Sequence, residues 1–126
     1  MFFSAHGNIK FLIQNKCVIN KPDTSFNEEG VHILFANIIG QIQKQQVDRW
    51  VLIEVLGPDA LPTPEALQAL ADSYKKIKEH GCIKISAVCS NSLQKQFLIK
   101  AAELAKINIY FSSSEAAALE YNERYL

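Results

Sequence analysis

Apolar residues recur along this chain with two spacings, and each spacing predicts a different kind of element. Four segments carry them three and four residues apart, as on one face of a helix. The clearest stripe predicts a helix that begins near Asn27, with two glutamates suited to its positive end. Its predicted core residues are Val31, Leu34, Phe35, Ile38 and Ile42.

The three later helices are each predicted to begin at a residue that can cap them. Thr63 precedes a proline, which is favoured in the first helical turn. Ser90 or Asn91 would begin the third helix, and Ser112 with Glu115 has the spacing of a capping box for the fourth. The predicted buried positions of the second and third helices are Leu67, Leu70, Ala71, Tyr74, Ile77, Leu93, Phe97, Leu98, Ala101 and Ala105.

Apolar runs of strand length precede and separate these helices. They cover residues 2–5, 9–13, 17–19, 50–56, 83–88 and 107–111. The first two runs flank a turn at His6-Gly7-Asn8 and predict an N-terminal hairpin. Because the later strands alternate with helices, right-handed crossovers and a largely parallel C-terminal sheet are expected. No repeat or linker divides the chain, so we expect one α/β domain over residues 1–126.

Residues two apart in a strand share a face, so the strand sequences predict how the sheet is covered. One face would collect Val51, Ile53, Val55, Ile83, Ile85, Ala87, Ile107, Ile109 and Phe111. The other would hold Trp50, Leu52, Glu54, Lys84, Ser86, Asn108 and Tyr110. Helices are therefore expected mainly on the first face. An open part of the mixed face, the N-terminal hairpin or the flank of Ile33 and Ile39 would then be the interface of a homodimer.

Composition narrows the range of functions. Thirteen Lys+Arg balance thirteen Asp+Glu, which argues against a protein that binds nucleic acid or an anionic membrane through charge. The three cysteines form no C-x-x-C pair and the three histidines have no ligand spacing, so neither a metal nor another cofactor is expected. With no signal peptide and no apolar run of membrane-spanning length, a cytoplasmic protein without membrane insertion is expected.

Small polar residues follow three of the predicted strands, at the edge where open α/β sheets bind ligands. This candidate rim consists of Gly57, Asp59, Thr63, Ser90, Ser92 and Ser112. Together with helix N-termini, these residues could form a weak anion site. The turns contain no Lys or Arg, however, and capping of each helix explains the same residues, so capping is the interpretation that we favour.

Two further residues carry possible chemistry. Cys89 stands beside a predicted helix N-terminus, where a thiol can become a nucleophile, but a buried structural role is the simpler hypothesis. Glu54 interrupts an apolar strand, which would suit an acid with a raised pKa. The alternative that we favour is a partly solvated ion pair with Lys84 on the neighbouring strand.

The order and spacing of these elements over about residues 16–120 resemble the STAS domain, the fold of bacterial anti-sigma-factor antagonists. The segments that carry the resemblance are 16–20, 26–30, 74–81, 83–88, 93–105, 107–111 and 114–119. It implies a mixed sheet with successive βα crossovers, to which this chain adds the N-terminal hairpin. It also implies a module that acts by binding another protein and is not an enzyme.

Many members of that family are switched by phosphorylation of a serine at the start of the second helix. The regulated site reads Asp-Ser-Ser-Gly, whereas the corresponding residues 61–65 here read Leu-Pro-Thr-Pro-Glu. Thr63 is the nearest equivalent of the phosphoacceptor, but the aspartate and glycine are missing. We therefore expect Thr63 to be structural and the serine switch to be absent. A module that binds a small apolar ligand of the lipid or acyl kind is the alternative function.

Overall fold

The computed structural model describes residues 2–4 and 10–126. The strands are β1 (Phe2–Ser4), β2 (Lys10–Gln14), β3 (Cys17–Asn20), β4 (Trp50–Val55), β5 (Cys82–Val88) and β6 (Ile109–Phe111). The helices are α1 (Glu28–Lys44), α2 (Ala66–Glu79), α3 (Ser92–Ala105) and α4 (Glu115–Glu123). This order confirms the alternation predicted from the sequence, although the turn at residues 6–8 lies outside the described residues. No helix in the described ranges is long and apolar enough to cross a membrane.

The six strands lie side by side in chain order and form one mixed sheet. β1, β2 and β3 are antiparallel neighbours, while β3 to β6 run parallel to one another. When right-handed crossovers all advance in one direction, their helices fall on one face of the sheet. Accordingly α1, α2 and α3 pack together on one face, and α4 packs on β4 and β5 from the other. The predicted fold class, with helices mainly on one face, is confirmed.

The residues assigned to each face were predicted wrongly. Trp50 and Leu52 are 0% exposed and pack in the core beneath the three-helix layer, whereas Val51 and Ile53 lie with Ala118 of α4. Alternation within a strand shows which residues share a face but does not show which face the helices cover. Trp50 and Leu52 are therefore not part of an exposed patch, and the homodimer stays a prediction that rests on the other surfaces named for it.

An irregularity between β4 and β5 adds to this error. Trp50 pairs with Cys82 but Val51 pairs with Lys84, so β5 contributes one extra residue at this point. A bulge of this kind changes which residues of two strands share a face. Beyond it, Leu52 lies beside Ile85.

Two of the predicted helix caps are confirmed. Asn27 accepts a hydrogen bond from the Gly30 amide at 2.9 Å, and Asn91 accepts one from the Gln94 amide at 2.9 Å. Each therefore satisfies a backbone donor that the first turn of its helix leaves free. Gly81 follows the end of α2 with a φ of +98°, in the left-handed region that glycine tolerates.

The other two predicted caps are wrong, because both residues are still tied to neighbouring strands and loops. The Thr63 amide donates to the Phe26 carbonyl at 3.0 Å, and α2 begins three residues later without a side-chain cap. Likewise, the Ser112 amide donates to the Ala87 carbonyl at 2.9 Å, in continuation of the sheet. The cap of α4 is Ser114, whose hydroxyl accepts from the Ala117 amide at 3.1 Å.

Candidate functional site

A buried glutamine organises the carboxyl edge of the sheet. Gln94 of α3 is 1% exposed, and its Nε2 donates to the carbonyl oxygens of Gly57 and Ala60 at 2.8 and 3.0 Å. Its Oε1 accepts from the Ser90 amide at 2.8 Å, while the Ser90 hydroxyl donates to the Leu56 carbonyl at 2.7 Å. These bonds give the backbone carbonyl groups of the loop after β4 partners inside the protein, and they hold this loop against α3.

The predicted rim residues therefore do not form one cluster. Gly57 and Ser90 are joined through Gln94, whereas the side chains of Asp59 and Ser92 are exposed and take no part in this network. Ser112 donates its hydroxyl to the Ser114 carbonyl at 3.1 Å, within the turn before α4. Ser90 and Ser112 thus bond within or between their own loops, and neither caps a helix, because the caps of α3 and α4 are Asn91 and Ser114.

Sequence reasoning missed Gln94 because it placed Leu93 in the core. Leu93 is 61% exposed, and Gln94 takes its place four residues before the buried Leu98. The signal was present in the sequence, since positions 94, 98, 101 and 105 have the spacing that marks the buried stripe of α1. A polar residue in such a stripe indicates a buried hydrogen-bonding role.

A surface groove of about 400 Å³ lies between the start of α2 and the outer face of α3. The residues that line it are Leu61, Pro62, Pro64, Leu67, Leu93, Gln96, Phe97 and Lys100. The α3 members stand at i, i+3, i+4 and i+7, so this helix carries a second stripe besides its buried one. Lys100 is the one charged group among the described residues of this lining. We refer to this feature as the α2–α3 groove.

Thr63 lies between Pro62 and Pro64, which both line this groove. Its Oγ1 is buried and has no hydrogen-bond partner among the described residues. The position that would cap α2 is occupied by Glu65, which makes no side-chain capping bond. Thr63 therefore lies near the N-terminus of α2 but does not cap it.

Glu54 is 4% exposed and is not paired with Lys84, contrary to the sequence expectation. The bulge pairs Lys84 with Val51, and the Lys84 Nζ lies 4.3 Å from the ring centroid of Tyr125 near α4. Glu54 instead accepts a hydrogen bond from the Tyr74 hydroxyl and one from Asn20 Nδ2 at 3.4 Å. The predicted ion pair is therefore wrong.

Burial determines the protonation of this carboxyl group. It raises the pKa of Glu54 to about 7, although the hydrogen bonds from Tyr74 and Asn20 act in the opposite direction. Beside Glu54 lies an internal cavity of about 10 Å³, close to the volume that one water molecule needs. Asn20 also lines this cavity, and its Oδ1 has no partner among the described residues.

Cys89 has the character of a structural thiol. Burial, and then the charge of Glu54, raises the pKa of Cys89 to about 11. A thiol with so high a pKa is almost wholly protonated near neutral pH, and the thiolate is the nucleophilic form. Proximity to the N-terminus of α3 does not lower it, so the geometry favours the structural hypothesis.

Comparison with solved structures places this architecture in a known fold. The chain is similar to the protein TM1081, solved by NMR, with 18% sequence identity and a TM-score of 0.65 over 90% of this chain and 87% of that one. It is also similar to the anti-sigma factor antagonist SpoIIAA in its unphosphorylated form, with 10% identity and a TM-score of 0.60 over 94% and 99% of the two chains. No protein-family model and no curated protein matches the sequence. The chain therefore has the STAS-like fold that the order of its elements predicted.

Proposed function

We propose that this chain is a non-enzymatic regulatory module that binds a partner protein through the α2–α3 groove. The observation that carries the proposal is the second stripe of α3, which leaves Leu93 61% exposed beside Leu61, itself 39% exposed. Neighbouring apolar side chains that remain exposed in a folded chain are typical of an interaction surface. The fold shared with an anti-sigma factor antagonist supports a protein as the ligand.

Charge indicates what kind of partner surface fits the groove. Lys100 stands at the end of the stripe that includes Leu93 and Phe97. A partner helix that packs apolar side chains on these residues would pair an acidic residue with Lys100. The proposed partner segment is therefore an amphipathic helix with one acidic flank.

The same geometry supports a module without the serine phosphorylation switch. A kinase must reach the hydroxyl, whereas Thr63 Oγ1 is buried. Glu65 at the N-cap position already places negative charge at the positive end of α2, and a phosphate two residues earlier would be repelled by it. We therefore propose that partner binding here does not depend on phosphorylation of Thr63.

The two candidates for catalysis also support a non-enzymatic role. Glu54 is 4% exposed and bonded on both oxygens, so a substrate has no direct path to it. Cys89, with a pKa of about 11, is a poor nucleophile at neutral pH.

A small apolar ligand is the second candidate, favoured by the size of the groove. Its volume of about 400 Å³ falls within the usual range for small-molecule sites, about 300–1,000 Å³. An apolar wall with Lys100 at one end would suit a molecule that has an apolar body and an acidic group. A partner protein and a small ligand can be separated by one set of variants.

The test is quantitative affinity capture from native extract with the full chain as bait. Leu93→Glu places a charge in the groove, and Ile99→Glu is the matched control on the same helix, 37% exposed, off the stripe and outside the groove lining. We expect a specific protein that the wild type and the control capture equally and that Leu93→Glu loses about tenfold or more. Equal capture by all three baits would overturn the proposal. A bound small molecule, seen by native mass spectrometry and lost only with Leu93→Glu, would establish the second candidate instead.

A further inference from the structure

A second cavity, of about 460 Å³, lies at the opposite edge of the sheet, where β5 and β6 begin. Its walls come from the end of α2, the first residues of β5 and the turn of residues 106–108 before β6. We refer to it as the amino-edge cavity. It shares no lining residue with the α2–α3 groove.

Three lysines from three different elements line the amino-edge cavity. Lys78 lies in the last turn of α2, Lys84 lies in β5, and Lys106 follows the end of α3. No acidic side chain is among the described residues of the lining, and none of these lysines forms an ion pair within the described part of the chain. The Lys84 ammonium lies 4.3 Å from the ring centroid of Tyr125, outside the lining, so its charge is already engaged. Lys78 and Lys106 are the two lysines of the lining with no ion-pair or ring partner within the described part of the chain.

The backbone around the cavity adds polar groups to these charges. β6 first pairs with β5 at Ile85, so Ile83 and Lys84 extend past the end of β6 and have no partner from that strand. Asn108 brings an amide side chain to the lining, and Ile83 and Ile107 bring apolar walls. A ligand here would meet lysine ammonium groups and amide donors beside an apolar surface.

The position of Lys106 is also unusual for its residue type. It adopts a φ of 57° at the end of α3, in the left-handed region where helices most often end in glycine. A lysine in that conformation is held by its surroundings, and here the conformation places Lys106 in the lining of the cavity.

We propose that the amino-edge cavity binds a small polyanion of the phosphate type. Several lysine ammonium groups in one concave site attract a multiply charged anion more strongly than scattered surface charges do. The volume admits a phosphate group together with a small organic body, which would lie on the isoleucine wall. This site is independent of the partner protein proposed for the α2–α3 groove.

A structural role of the same lysines makes a different prediction. Cations near the C-terminal end of a helix are stabilising; Lys78 lies in the last turn of α2 and Lys106 directly follows α3. If this were their whole role, their removal would lower the stability of the fold and no anion would bind. Lys44, in the last turn of α1 and outside the cavity lining, provides the matched control.

The experiment uses the full chain and inorganic pyrophosphate at constant ionic strength. Binding is measured by calorimetry, and its location is measured by NMR shifts of the backbone amides of Ile83, Lys84 and Asn108. The test variant is Lys78→Gln with Lys106→Gln, and the control is Lys44→Gln with Lys75→Gln, which removes the same charge from exposed helix positions outside the cavity. We expect saturable binding that the test variant weakens about tenfold or more and the control changes less than about twofold.

Two outcomes would overturn the proposal. One is the absence of saturable binding of pyrophosphate by the wild type. The other is an equal loss of affinity in the test and control variants, which would indicate diffuse attraction to net charge. If the double variant does not fold, Lys78→Gln and Lys106→Gln are measured singly, and unchanged binding in both single variants counts against the site.

Discussion

Each face of the sheet buries one polar cluster beneath helices, and the two clusters differ in chemistry. Under α4, the Ser86 hydroxyl donates to Asn122 Oδ1, and Asn122 Nδ2 donates to the Leu52 carbonyl at 3.1 Å. Under α2, Glu54 is bonded to Tyr74 and Asn20, and Asn20 Oδ1 has no partner among the described residues. The first cluster is neutral and satisfied, whereas the second contains an ionisable group and an unpaired acceptor.

The two faces of one sheet thus differ in protonation: one cluster keeps the same charge at all pH values near neutrality, and the other gains or loses a proton there. Both polar groups of the Asn122 amide are used, and the cluster has no group that titrates near neutral pH. Glu54 gains or loses a proton near pH 7, in a place where a charge is poorly solvated. The cluster that makes the free energy of unfolding depend on pH therefore lies on the same face of the sheet as the α2–α3 groove.

The largest expected effect is a pH dependence of the free energy of unfolding that comes from the Glu54 cluster alone. Between pH 4.5 and about 7 the unfolded chain has released the Glu54 proton while the folded chain keeps it. The free energy of unfolding therefore falls as the pH rises through this window, and the contribution is lost above about pH 7. Glu54→Gln keeps an acceptor for Tyr74 and removes the titration. We expect the variant to gain about 3 kcal/mol relative to the wild type between ~pH 4.5 and ~pH 8, measured by urea unfolding.

A matched control for this experiment is Glu79→Gln, at an exposed position at the end of α2. This control should follow the wild type at every pH. A Glu54→Gln variant with the same pH dependence as the wild type would contradict a proton held by the buried carboxyl.

The next effect is a loss of stability that does not depend on pH. Asn122→Leu removes the partner of the Ser86 hydroxyl and one donor to the Leu52 carbonyl. We expect a loss of about 2 kcal/mol in the free energy of unfolding, equal at ~pH 5 and ~pH 8. Adding Ser86→Ala should recover part of this loss, because it removes the buried hydroxyl that Asn122→Leu leaves without a partner. A double variant less stable than the single one would show that the hydrogen bonds are not the cause.

The smallest effect concerns the other buried side-chain polar atom that has no partner among the described residues, Thr63 Oγ1. Thr63→Val replaces the buried, unbonded hydroxyl by a methyl group of similar shape. If Thr63 capped α2, this change would cost about 1 kcal/mol. Without a cap, we expect an unchanged or slightly higher thermal midpoint, at most ~1 kcal/mol more stable. Ser114→Ala is the contrasting variant and should be less stable, because Ser114 does cap its helix.

The sequence predicted those features of the fold that depend on local pattern. The stripe of α1 and the caps Asn27 and Asn91 follow from spacing and residue type within one segment, and all are present. The coverage of the two sheet faces depends instead on how strands from distant segments align. No local pattern marks the extra residue that pairs Val51 with Lys84, and this bulge separated the predicted partners of the Glu54 ion pair.

The candidate sites were predictable to a similar degree. Glu54 stood out as a carboxylate in an apolar strand, but its partner Tyr74 was assigned to the core for its ring alone. Thr63 has the residue type and the following proline of a cap, yet its amide is bound to Phe26, more than thirty residues earlier in the chain. Tertiary hydrogen bonds of this kind override the local preference, and the sequence does not reveal them.

The chain contains one tryptophan, and its placement makes it a built-in optical reporter. Trp50 is 0% exposed, and its indole Nε1 donates to the His80 carbonyl at 2.8 Å, just before Gly81 in the wall of the amino-edge cavity. An indole shielded from water emits at shorter wavelength than one in solvent, so unfolding will shift its fluorescence to the red. Because that hydrogen bond ends one residue from the cavity, a ligand that moves the turn will also change the emission of the folded protein, without any attached dye.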